Sequence, residues 1–206
     1  MIKIIKKYCY VDHVKFQKRN PKKLLTKNEY NSPHPNSHHS FGKTYGLHRE
    51  KLEFSIGLHK KLKNYCNKNK VIYSTSIWDV DSAKQIIKLK PKYIKIPSAC
   101  NTDYSLLSYI FKNYNGEIHI SLGMTNKKEE EEIIDLAKNF KRNKNIILYA
   151  CTSDYPVKAQ DICLLEIVRL KEMYGKIIKG IGFSGHHYGI SADIAAAALG
   201  ARWIER

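Results

Sequence analysis

The sequence predicts a parallel α/β fold, and three observations carry that expectation. Short apolar runs rich in isoleucine recur along the 206 residues, the spacers between them place apolar residues at helical spacing, and most runs end in a hydroxyl or a charge. Parallel strands need a helix-length crossover and read as near-continuous apolar runs because both faces are buried. A doubly wound sheet and an eight-stranded barrel both satisfy this pattern, and in either the C-terminal strand ends form the active face. No GxGxxG or Walker A sequence marks a nucleotide-binding fold. With 43% hydrophobic residues the chain can bury a core, and a single domain over residues 1–206 is expected.

The elements follow in order. Val11 to Gln17 is a short strand whose Lys15 and Gln17 alternate to one face. Residues 20–45, with their prolines, asparagines and His34, His38 and His39, read as a long excursion. Leu52, Ile56, Leu58, Leu62 and Tyr65 set a helical period over Leu47 to Asn67, followed by a strand from Val71 to Ile77 that carries Ser74, Thr75 and Ser76. The cycle repeats with a helix near Asp81 to Lys88, a strand Tyr93 to Ser98, a helix near Tyr104 to Asn113 and a strand Glu117 to Ser121. A helix near Lys127 to Phe140 opens on the acidic run Glu129 to Glu132, which suits the positive end of the helix dipole. A strand Asn145 to Ser153, a helix near Ala159 to Tyr174, a strand Ile177 to Ser184, a helix near Ser191 to Leu199 and a strand Ala201 to Arg206 complete a set of seven strands.

Composition excludes several functions. A net charge of +17 raises nucleic acid as a partner, yet the lysines are scattered among asparagines with no arginine-rich or aromatic-basic platform. They are expected on solvated helix faces, with no nucleic-acid role, although the field can still attract a small anion. There is no run of about 18 apolar residues, so no membrane span is expected. Residues 1–7 carry charges inside their apolar stretch and lack a cleavage site, as a signal peptide would not. The five cysteines, Cys9, Cys66, Cys100, Cys151 and Cys163, form no CxxC pair, which points to a reducing, cytoplasmic compartment.

The strand ends collect Lys15, Gln17, Thr75, Lys95, Ser98, Ser121, Ser153, Tyr155, Ser184 and His186. Two ammonium groups with several hydroxyls suit a phosphate or carboxylate, and the paired carboxylates of a glycosidase are missing. A lone strand-end serine is more often a turn residue than a ligand. Lys95 is the stronger signal, because a lysine inside the apolar strand Tyr93-Ile94-Lys95-Ile96-Pro97 is costly to bury unpaired. His186 and His187 are adjacent on an extended chain and point to opposite faces, so at most one reaches the site.

The chain resembles the catalytic barrel of the sialic acid synthase family. The resemblance rests on Val14-Lys15-Phe16-Gln17, on His39 to Gly46 with His48-Arg49 and Leu52 to Ser55, on Ser74-Thr75, and on Lys95-Ile96-Pro97-Ser98. It continues through Ser121 to Met124, Cys151 to Pro156, Gly182 to His186, and Ala197 to Ala201 with Ile204-Glu205-Arg206. It implies a (β/α)8 barrel of which strands two to eight are represented. It also implies condensation of phosphoenolpyruvate with N-acetylmannosamine to give N-acetylneuraminate and phosphate. Lys15, Thr75, Lys95, Ser98, Ser121, Ser153 and Ser184 would hold phosphoenolpyruvate. Gln17 and Tyr155 would contact the acyclic sugar, with Lys15, Lys95 and Tyr155 taken as catalytic. His186 would be one of two histidine ligands to a divalent cation, manganese or magnesium. That cation would polarise the sugar aldehyde for attack by C3 of phosphoenolpyruvate, after which water adds at C2 and phosphate leaves by C–O cleavage.

The chain departs from the family pattern in several places. Cys100 stands where many members carry a carboxylate, and Ser153 where asparagine is common. The first strand with its glutamate, the second metal histidine after Glu205-Arg206, and the C-terminal antifreeze-like domain are all expected to be missing. The family also implies a homodimer in its full-length members. An inactive, binding-only remnant and a synthase for a related sugar acid (legionaminic, pseudaminic, or the 9-phosphate of N-acetylneuraminate) are the alternatives.

Overall fold

The computed structural model describes residues 1–206, the side chain of Ser37 apart, and divides into two units, Met1–Lys92 and Tyr93–Arg206. The first unit begins with α1 (Ile2–Cys9), which stops at Tyr10 in the left-handed conformation (φ 53°), and continues into β1 (His13–Lys18). Residues 20–45, expected to be an excursion, contain α2 (Pro21–Leu24) and α3 (Lys27–Asn31). Pro21 starts the one, and a Thr26/Glu29 capping box starts the other.

The single helix expected from Leu47 to Asn67 is two helices, α4 (Tyr45–Lys51) and α5 (Ile56–Lys68). Two local interactions cause the break. Glu53 turns away to take both the backbone N–H of Arg19 (2.9 Å) and its guanidinium Nε (2.6 Å). Ser55 then opens a new helix by accepting from the Leu58 N–H. β2 (Ile72–Ile77) pairs parallel with β1 in the register His13↔Ile72 to Lys18↔Ile77, and α6 (Val80–Ile87) follows on an Asp79 cap. Val14, Phe16 and Leu62 pack on Cys66, Val71 and Tyr73 to form this unit's core.

The second unit carries β3 (Tyr93–Ile96), α7 (Tyr104–Asn113), β4 (Glu117–Ser121), α8 (Lys127–Asn139), β5 (Ile146–Cys151), α9 (Glu166–Tyr174), β6 (Gly180–Ser184), α10 (Ser191–Ala198) and β7 (Trp203–Glu205). β3 to β7 are parallel and neighbour one another in sequence order. The helix expected near Ala159 starts at Glu166. Before it, the Asp161 carbonyl accepts from Thr152 Oγ1 (2.9 Å) and Cys163 Sγ (3.6 Å), which ties the segment to the end of β5.

Register sorts this sheet into two chemically different faces. One face presents Ile94, Ile96, Ile118, Ile120, Ile146 and Leu148, all fully buried, each burial worth about 1.5–3 kcal/mol. α9 packs on β5 and β6. The other face carries Tyr93, Lys95, His119, Ser121, Tyr149, Ser184 and Glu205. Four strand spacings of about 4.8 Å would separate β3 and β7 by roughly 19 Å in a flat sheet. Lys95 on β3 nevertheless contacts Glu205 on β7 at 2.8 Å, so this sheet curls around its polar face. No helix is long and apolar enough to cross a membrane among the described residues.

Two buried histidines, one in each unit, each meet a tyrosine hydroxyl. His59 meets the Tyr73 hydroxyl at 2.7 Å and His119 meets the Tyr149 hydroxyl at 2.7 Å. Burial pushes each imidazole down to about 4. Between that value and the unfolded value of about 6.5 the unfolded chain binds the extra protons, so stability is full above that window and is lost as pH falls through it. Urea unfolding at pH 7 and pH 4.5 is expected to differ on the order of 2 kcal/mol per histidine. A flat profile would contradict the neutral assignment.

Candidate active site

Lys95 is the centre of the polar face. Its side chain is 1% exposed, and its ammonium donates to Glu205 Oε2 at 2.8 Å while lying 3.6 Å from the centroid of the Tyr149 ring. The other Glu205 oxygen lies 3.5 Å from Ser184 Oγ. Ser121, in register with Tyr149, ends β4 on the same face, and Ser121 and Ser184 are both buried. Strand geometry therefore groups Lys95, Ser121 and Ser184 as side chains of one surface.

Ser98 and Ser153 join this group through a close approach to Gly123. The Gly123 N–H donates to Ser98 Oγ at 3.1 Å. A Cβ added at Gly123 would lie 2.1 Å from Ser153 Oγ and 2.7 Å from Ser98 Oγ, so only glycine lets the two hydroxyls converge there. Buried Asn101 holds this turn in place, donating to the Ser121 carbonyl at 2.8 Å. Cys100 is buried beside it in the sequence.

The loop after β5 wraps His186. The Val157 N–H donates to the His186 carbonyl at 3.0 Å, and the exposed Tyr155 ring lies 4.1 Å from the imidazole. His186 Nδ1 meets the Thr152 carbonyl at 3.1 Å, an acceptor, so the proton sits on Nδ1 and Nε2 keeps its lone pair for a ligand. His187 is turned elsewhere, its Nε2 accepting from Arg206 at 2.7 Å. His186 supplies a cation with one donor, and no group of three His, Cys, Asp or Glu able to hold a metal exists among the described residues.

In the first unit, Lys15 and Gln17 are exposed on β1 and are in register with Ser74 and Ser76. Bridge partners in a parallel ladder share a face. Thr75 pairs with Phe16 and lies on the opposite face, the one where Phe16 stacks on Tyr73 (5.7 Å). The structure thus brings Ser74 and Ser76, and not Thr75, to the face of Lys15. In the loop that follows, His48 is buried among the rings of His34, Phe41 and Tyr45, and burial lowers its basicity.

Sequence reasoning missed three residues of these faces. Glu205 enters the sequence reading only as part of a motif, although a carboxylate in a short apolar strand is the natural partner of a buried lysine. His119 could have been found by alternation, since Glu117 and Ser121 lie two residues away on its own strand, whereas Tyr149 sits between Ile147 and Cys151 and carries no such signal.

The sequence profile described as the NeuB family matches residues 1–206. The chain belongs to the NeuB family. It is 31% identical to the human N-acetylneuraminate-9-phosphate synthase over 206 residues, all of this chain and 55% of that protein. It is 32% identical to the N,N'-diacetyllegionaminic acid synthase of Campylobacter jejuni over 196 residues, 95% of this chain and 58% of that one. The chain spans about half the length of the curated relatives it matches. The crystal structure of the N-acetylneuraminic acid synthetase from Leptospira borgpetersenii, in complex with citrate, superposes with a TM-score of 0.83 at 24% identity, covering 100% of this chain and 65% of that one. That likeness establishes the fold.

Glu205→Gln leaves a buried ammonium facing a neutral amide, whereas Lys95→Met leaves a carboxylate that is 17% exposed and can be hydrated. Breaking a buried pair on the more buried side costs about 3–5 kcal/mol. Glu205→Gln is therefore expected to lower urea-unfolding stability by about 3 kcal/mol and Lys95→Met by less. The reverse order would contradict the burial asymmetry.

Proposed function

We propose that this chain is the catalytic portion of a phosphoenolpyruvate-dependent nonulosonic acid synthase, with N-acetylmannosamine as the acceptor and N-acetylneuraminate and phosphate as products. The observation that carries this reading is the buried Lys95 ammonium on a face whose hydroxyls converge. Lys95, Ser121 and Ser184 share one face, and Ser98 and Ser153 meet over Gly123. A fixed positive charge in low dielectric with directional O–H donors suits the phosphate and carboxylate of phosphoenolpyruvate. Family membership and the synthase relatives support the same class of reaction.

Within this reading, Lys95 and the hydroxyls hold the phosphate and carboxylate of the substrate so that its C3 faces the sugar carbonyl, and they stay on the phosphate as the C–O bond breaks. The Tyr155 ring, exposed beside His186, lines the approach of the acyclic sugar. A divalent cation, manganese or magnesium, would find one donor here in His186 Nε2. The fold belonging to this reading is a (β/α)8 barrel, supported by the seven parallel-strand segments and by the likeness to the Leptospira synthetase. No disulfide joins the five cysteines among the described residues, in keeping with a cytoplasmic setting.

The test is phosphate release from phosphoenolpyruvate with manganese present and N-acetylmannosamine added or omitted. Release that depends on the sugar and falls at least about 100-fold in Lys95→Ala is expected. Faster release with N-acetylmannosamine 6-phosphate would assign the 9-phosphate product instead. Binding of phosphoenolpyruvate without release under any sugar would make the chain a binding-only remnant.

A further inference from the structure

The Lys95 ammonium rests on Tyr149, and Tyr149 is held more tightly than packing alone demands. Its ring centroid lies 3.6 Å from Lys95 Nζ, well inside the roughly 6 Å reach of a cation–π contact and in desolvated surroundings where such contacts are strongest. The ring edge fills the space of an absent side chain on β6, where a Cβ at Gly182 would meet Tyr149 ring carbons at 2.7 and 2.8 Å. At the far end the Tyr149 hydroxyl meets His119 Nδ1 at 2.7 Å.

His119 is fixed in turn. Its ring stacks on Tyr93 with centroids 4.0 Å apart, and its Nε2 faces Glu117 Oε2 at 3.5 Å, while Glu117 Oε1 accepts from Lys179 at 2.7 Å. With Nε2–H toward the carboxylate, Nδ1 is an acceptor and the Tyr149 hydroxyl donates to it. A phenylalanine would fill the same volume without a polar group to satisfy, and a histidine buried only to accept one hydrogen bond is costly. The arrangement fixes which way the ring face points, and the face points at the ammonium.

We propose that Tyr149 is a positioning residue for Lys95, with His119 and Gly182 setting the plane of its ring. Glu205 fixes the ammonium from one side and the ring from another, so a flexible four-carbon stem presents its charge to the substrate anion in one place. The inference rests on the reading that Lys95 holds phosphoenolpyruvate.

Two measurements on the full chain separate the inference from that reading. NMR of the Lys95 Cε methylene, assigned by its loss in Lys95→Arg, reads the ring contact without any substrate. An upfield ring-current displacement is expected in the wild type and in Tyr149→Phe, and its disappearance in Tyr149→Leu. Calorimetric titration with phosphoenolpyruvate is then expected to give a Kd raised about tenfold in Tyr149→Leu and by a smaller factor, about threefold, in Tyr149→Phe, which keeps the ring and loses its tie to His119. Tyr149→Met, closer in length and better able to fill an irregular gap, replaces the leucine variant if that one does not fold. Unchanged affinity in Tyr149→Leu or Tyr149→Met, or no ring-current displacement in the wild type, overturns the positioning role. A wild type that shows the displacement and binds no phosphoenolpyruvate overturns the functional reading and leaves the Lys95–Tyr149 geometry standing.

Discussion

An ammonium buried inside an apolar strand must be neutralised where it lies, and that requirement shapes the second unit. Removing a lysine's charge from water costs several kcal/mol, which is recovered only when a carboxylate meets it in good geometry. Here the carboxylate comes from Glu205, 110 residues away in sequence, and the sheet has to curl for the two to touch. The glycines of β6 belong to the same constraint. Cβ atoms at Gly180 and Gly182 would occupy the positions of the Trp203 and Tyr149 rings, so these glycines admit large side chains to the concave face. The convex face is filled by isoleucines under helices. One face therefore supplies the core and the other the chemistry.

Under the proposed function, the polar face lets a neutral ion pair still receive an anion. Glu205 engages the ammonium on one side, and the tyrosine ring approaches it on another. Ser121, Ser184, Ser98 and Ser153 add hydrogen-bond donors that carry no charge. An anion arriving at this face meets a positive charge in low dielectric with hydroxyls already oriented, and little reorganisation is needed. The net charge of +17 adds a diffuse attraction that salt would screen.

Much of this was legible in the sequence, for reasons that can be stated residue by residue. The seven strands were readable because buried parallel strands are nearly all apolar, and Lys95 stood out as the exception within one of them. Sequence alone selects Thr75, whereas the register brings Ser74 and Ser76 to the face of Lys15, because alternation needs a register and register is set by a neighbour strand. Glu205 was hidden because β7 has only three residues and its partner lies on the far strand of the sheet. The break between α4 and α5 was hidden for a similar reason: the apolar period runs through it, and only the pull of Arg19 on Glu53 reveals it. What escaped sequence reasoning was side-chain pairing between distant elements, which local periodicity does not encode.

The proposed function makes one demand of the polar face, that the Lys95 surface receives an anionic substrate. A crystal structure determined with phosphoenolpyruvate tests this most directly. The expected result is a phosphate or carboxylate oxygen within about 3 Å of Lys95 Nζ, with Ser184 or Ser121 as a second partner. Ligand bound instead in the cleft of about 520 Å³ lined by Glu129, Glu130 and Glu166, with the Lys95 face untouched, would contradict it.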